Sequence, residues 1–162
     1  MIGFSVGRRP ARVEQSVADK HSSVEVREQL DSTLESVDHA EELVLRTARE
    51  MGFDEDQQHE IGISLRECMV NAVVHGNCYN ARKKVHLCVS HTPERLEITI
   101  GDEGEGFDSS ALPDPLADEN LLRQSGRGVL MMQAFMDEFH VGRRNPSGTE
   151  VRMVKYKVKE ND

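Results

Sequence analysis

The 162-residue chain has no tryptophan, only two tyrosines, and no uninterrupted apolar run of membrane length. A helix that crosses a bilayer needs about 20 consecutive, mostly apolar residues, so a helical membrane span is excluded. Proline is also scarce, at five residues, while 37% of the chain is hydrophobic, a balance that disordered sequences lack. Basic residues are outnumbered: 20 Lys and Arg face 29 Asp and Glu, a formal charge of −9. Non-specific nucleic-acid binding requires a basic footprint, so direct contact with nucleic acid is not expected. The three cysteines, Cys68, Cys78 and Cys88, are an odd number, and the N-terminal "MIGFSVGRRPAR" has no apolar signal-peptide core. Reduced thiols and a cytoplasmic location follow as expectations. His75, Cys78, His86 and Cys88 include zinc-ligand types but lack the C-x-x-C pair of structural zinc modules, and core or edge cysteines are the simpler reading.

What is present reads as one domain over residues 22–162 behind a flexible tail, 1–21. Residues 22–28, "SSVEVRE", alternate like a strand. Val37, Ala40, Val44, Ala48 and Met51 follow helical spacing up to a capping Gly52. Asp54 and Gln57 have the spacing of a capping box and open a second helix running to His75 or Gly76. Strands are expected over Val85–His91 and Leu96–Asp102, then a loop or lid over 108–125. A third helix in "SGRGVLMMQAFMDEF" and strands at Phe139–Gly142 and Glu150–Val158 complete the chain. In the last strand, Val151 and Met153 fall on one face and Val154, Tyr156 and Val158 on the other, so its register stays open. Met131, Met132, Phe135 and Met136 read most simply as core or a dimer face. The order predicts an α+β two-layer sandwich, a mixed and mostly antiparallel sheet with helices on one face.

The second helix is unusual. Ile61, Leu65, Cys68 and Ala72 form one apolar stripe and Ile63, Val70 and Val74 another, so most of its girth avoids water. Between them run Glu60, Ser64, Glu67 and Asn71, with His75 one turn on. A buried carboxylate and amide cost free energy unless they are paired or bind something. The seam therefore faces solvent, another helix or a ligand.

A second departure lies in "LEITIGDEGEGFD". The alternation of Leu96, Ile98 and Ile100 carries Asp102 onto the apolar face, where it offers acceptors to a donor such as an exocyclic amine. Gly104 and Gly106 then allow a sharp turn and a close ligand approach. Gly126, Arg127 and Gly128 open the third helix, where free backbone N–H groups favour phosphate. There is no G-x-x-x-x-G-K-[ST] loop, "GRGVLM" lacks the third glycine of a dinucleotide fingerprint, and the acidic loop fails as an EF-hand.

Together, Glu67-x-x-x-Asn71-Ala72-x-x-His75, Asp102-x-Gly104-x-Gly106, Gly126-x-Gly128 and Gly148-Thr149 resemble the four nucleotide-binding boxes of the GHKL ATPase superfamily, in order, over roughly residues 22–156. The "SGRGVLMMQAFMDEF" segment and the short length are most similar to the anti-sigma-factor serine/threonine kinases. The resemblance implies ATP and Mg²⁺, with Asn71 as metal ligand and Glu67 as general base. It implies that Asp102 accepts from the adenine amine with support from Thr149, and that Gly104 and Gly106 shape the nucleotide wall. Gly126, Arg127 and Gly128 would meet the phosphates, with Arg127 or Arg123 neutralising transferred charge. His75 would either reach the nucleotide or satisfy its own helix end. The function so implied is phosphorylation of a small antagonist protein and, in another complex, capture of a sigma factor, by a homodimer. A non-catalytic, nucleotide-gated binding switch is the alternative.

Overall fold

The computed structural model describes residues 23–105 and 128–158. The expected tail, Gly106, the lid 108–125 with Arg123, Gly126 and Arg127 lie outside the described residues. Chain order is β1 (Val24–Asp31), α1 (Leu34–Met51), α2 (Glu55–Val70), a π-helical turn (Asn71–Gly76), β2 (Lys84–His91), β3 (Arg95–Gly101), α3 (Gly128–Phe135), β4 (Glu138–Arg143) and β5 (Thr149–Tyr156).

The helix boundaries follow their local chemistry. Thr33 Oγ1 caps α1 by accepting from the Ser36 N–H, and Gly52, at φ 87°, closes it in the left-handed conformation as expected. The Asp54–Gln57 capping box forms in both directions. The third helix is shorter than expected: Phe135 is its last residue, and the chain turns so that Phe139 can pair with Met153 in the sheet. β1 extends beyond the expected 28 because its pairing with β2 continues to Asp31 opposite Lys84.

The sheet order is β1-β2-β3-β5-β4. The β3–α3–β4 connection carries the chain to the far edge, and β5 fills the slot between β3 and β4, antiparallel to both. All four pairings are consequently antiparallel, and the mixed component expected from sequence does not occur among the described residues.

Register builds the core. Val89, Ile98, Met153 and Phe139 sit opposite one another across four strands, on the face where Val37, Val44, Ile61 and Leu65 of the helices pack. Burying each large apolar side chain of this kind contributes about 1.5–3 kcal/mol. The open register of β5 resolves with Val151 and Met153 inward. On the outer face, Arg152 makes a bidentate pair with Glu97, at 3.0 and 3.1 Å, and reaches Glu138 at 3.6 Å.

Candidate active site

At the C-terminal end of α2 the helix widens. The Asn77 N–H bonds back to the Ala72 carbonyl at 2.8 Å, a π-type step that often marks functional positions. The widened turn, α3 and the inner faces of β3, β4 and β5 line an open cavity of about 310 Å³.

Asp102 sits where strand alternation placed it, 7% exposed on the cavity wall. Its Oδ1 accepts from the Gly104 N–H at 2.9 Å and the Thr149 N–H at 3.2 Å. Its own N–H donates to the Thr149 carbonyl at 2.9 Å, so Thr149 supports Asp102 through the main chain. Oδ2 has no hydrogen-bond partner among the described residues. Burial raises the Asp102 pKa, opposed by the Gly104 and Thr149 N–H groups and then by the charges of Arg144 and Lys83. A buried carboxylate with one free oxygen on a cavity wall is chemically unsatisfied until it meets a donor.

Close backbone packing makes this wall. Gly148, at φ +104°, brings its Cα so near the Asp102 carbonyl that an added Cβ would lie 1.9 Å from that oxygen. A Cβ on Gly104 would lie 2.2 Å from the Gly76 carbonyl oxygen, and one on Gly76 2.3 Å from Asp102 Oδ2. Beneath them is Asn77, 1% exposed, which the sequence reading passed over. Its Nδ2 donates to Ser32 Oγ and the Lys84 carbonyl, both at 2.9 Å, and its Oδ1 accepts from the Glu103 N–H at 2.7 Å. One amide thereby ties the residue after Asp102 to β2 and to the β1–α1 junction.

The polar seam of α2 divides among different partners. Glu60 pairs with Lys155 of β5 at 2.7 Å, Ser64 Oγ is buried with no hydrogen-bond partner among the described residues, and Asn71 lines the cavity. Glu67 is partly buried against the start of α3: a Cβ added at Gly128 would lie 2.4 Å from its Oε2. The second apolar stripe, Ile63, Val70 and Val74, is only partly buried because α2 lies between α1 and α3 with that edge less covered.

The structure therefore gathers Asn71, His75, Asp102 and Thr149 around one cavity, with Glu67 and Gly128 in contact beside it and Gly104 behind Asp102. His75 is exposed at its rim, where its carbonyl accepts from Cys78 Sγ at 3.7 Å. Met132, expected from sequence in the core or on a dimer face, is buried and also lines the cavity, as do Phe139, Val141 and Val151. Lys83 and Cys78 were missed as wall residues, since both lie in the irregular 77–83 connection, where periodicity carries no signal. The four grouped zinc-ligand types do not converge: His86 pairs with Glu103 at 2.6 Å, and Cys88 faces the outer side of the sheet opposite Arg27.

Residues 30–155 match the family described as histidine kinase-like ATPase domain. Serine-protein kinase RsbW of Staphylococcus epidermidis is 33% identical over 115 residues, spanning 67% of this chain and 70% of that protein. The protein of the same name from Bacillus subtilis (strain 168) is 31% identical over 117 residues, 67% of this chain and 71% of its own. An anti-sigma F factor of Bacillus cereus (strain AH187) is 34% identical over 104 residues, 63% of this chain and 71% of that protein.

Proposed function

The chain belongs to the histidine kinase-like ATPase domain family, and from that premise we propose that it is an ATP-dependent serine/threonine protein kinase of the anti-sigma-factor type. It phosphorylates a small antagonist protein and captures a sigma factor, in line with the names of its relatives, serine-protein kinase and anti-sigma F factor. The observation that carries the nucleotide reading is Asp102, buried, with Oδ1 held by two backbone N–H groups and Oδ2 unpartnered among the described residues, on a wall it shares with Ile100, Val129, Met132 and Val151. An exocyclic amine on a flat apolar base is the complement of that wall, and the cavity volume lies at the lower end of small-ligand sites.

The remaining roles follow from position. Asn71 offers a hard amide oxygen to Mg²⁺, which takes its other ligands from phosphate and water. Mg-ATP supplies the phosphoryl group. Glu67, one helical turn before Asn71, accepts the proton of the attacking serine or threonine hydroxyl. Gly128 begins a helix whose backbone N–H groups suit phosphate, and Arg127 beside it in sequence adds positive charge. Gly106 and Gly126 belong to the same reading on sequence grounds, and His75 contacts the nucleotide from the rim. No described helix is long and apolar enough to cross a membrane, and a cytoplasmic homodimer is part of the proposal.

Calorimetric titration with ATP and Mg²⁺ tests the nucleotide assignment. Wild type should bind one equivalent per chain, and Asp102→Asn, which turns the free acceptor into a competing donor, should bind far more weakly. Equal affinity in the two proteins would remove Asp102 as the base-reading group.

A further inference from the structure

Lys155 is an anomaly in β5. Its position shares the inward parity of Val151 and Met153, and it is 8% exposed among the core residues. Its ammonium donates to Glu60 Oε2 of α2 at 2.7 Å and to the carbonyl of Phe135, the last residue of α3. A buried ammonium is costly unless paired and hydrogen-bonded, and these two acceptors stand where Lys155 meets both helices.

The same seam of α2 touches the other end of α3. Glu67 lies two turns beyond Glu60 and packs on Gly128, so α3 is held at both ends, by an anion at its N-terminus and a cation at its C-terminus. Both charges suit the helix dipole. An eight-residue helix is a strut about 12 Å long, so a displacement at Phe135 carries through to Gly128 and the carboxylate resting on it.

We infer that Lys155 is a positioning residue for phosphoryl transfer, fixing α3 so that Gly128 holds Glu67 in its working orientation. It touches neither nucleotide nor protein substrate. Asp102, Gly76 and Thr149 hold the base-reading wall without it, while Val129 and Met132 of α3 line the same cavity, so its effect is larger on turnover, which needs Glu67 aligned, than on ATP binding. Misplacing a reacting group by about an ångström costs about 100-fold in rate.

The inference rests on the kinase reading for its kinetic test and on α3 itself for an independent one. Lys155→Met should lower kcat by about 10- to 100-fold with a clearly smaller rise in the KM for ATP, and Lys155→Arg should restore most of the loss. Amide exchange in residues 128–135 should quicken in Lys155→Met while the α1 amides keep wild-type protection. If Lys155→Met fails to fold, Glu60→Gln loosens the same latch at a partly exposed position and should show the same kinetic split in weaker form. Unchanged kcat with unchanged α3 exchange would overturn the inference, as would a parallel loss of kcat, ATP affinity and global stability. If wild type transfers no phosphate, the kinase reading fails, while exchange in α3 still decides whether Lys155 fixes that helix.

Discussion

Gly76→Ala puts a methyl group 2.3 Å from Asp102 Oδ2, the oxygen left free for the base. Ordinary van der Waals contact requires a separation more than an ångström greater, and Asp102 Cγ and Cβ would lie only 2.4 and 2.8 Å from the same methyl, so the whole side chain must rotate about Cα–Cβ or withdraw. Rotation breaks its bonds to the Gly104 and Thr149 N–H groups, at 2.9 and 3.2 Å. Withdrawal is blocked, since Gly148 packs against both the Asp102 carbonyl and its Oδ1, an added Cβ lying 1.9 and 3.0 Å from them. The substitution therefore removes a hydrogen bond to a charged group, worth about 1.5–3 kcal/mol, which converts to about 10- to 150-fold in ATP affinity. Gly142→Ala is the matched control, because a Cβ there meets nothing within 4 Å. Fluorescent-ATP displacement, with urea unfolding to confirm that both variants fold, supplies the comparison. Gly76→Ala binding ATP within about twofold of Gly142→Ala would refute this account of the wall.

Three further outcomes are expected. Asn77→Ala leaves the Glu103 N–H without its acceptor and removes two donated bonds, at about 1–3 kcal/mol for each buried group left unpaired, measurable as a lower urea midpoint with unchanged slope. Asp102 has a folded pKa above its ordinary 3.8, so the unfolded chain loses this proton first and the contribution of Asp102 to stability falls as pH rises through that interval. Asp102→Asn should flatten that slope and melt higher than wild type at neutral pH while losing ATP affinity, read by calorimetry across pH. Cys78 is exposed on the cavity wall, whereas burial pushes the Cys68 thiol far above its usual range. Maleimide should label Cys78 and spare Cys68 in the native protein, and ATP should slow the labelling of Cys78.

The parts of the fold legible in the sequence are those in which local chemistry and periodicity agree. The Asp54–Gln57 box, the Gly52 cap and the alternation from Leu96 through Asp102 each depend on neighbours within a few residues. Asp102 was legible because an acid at an inward position contradicts its own pattern. Lys155 breaks the pattern in the same way, but the mixed parity of β5 concealed which face was inward until its pairing with β3 settled the register. Asn77 carries no local signal, since its three partners are 7, 26 and 45 residues away in sequence. The Glu60–Asn71 seam was visible as polar, but its division among β5, α3 and the cavity depends on tertiary packing.

The kinase claim is tested most directly by incubating purified protein with γ-labelled ATP, Mg²⁺ and an extract of its native cells, comparing wild type with Glu67→Ala. The account predicts one small protein labelled on serine or threonine by wild type and not by the variant. Nucleotide binding without any labelled protein would contradict phosphoryl transfer and leave a nucleotide-gated binding switch, while equal labelling by both proteins would contradict Glu67 as the base.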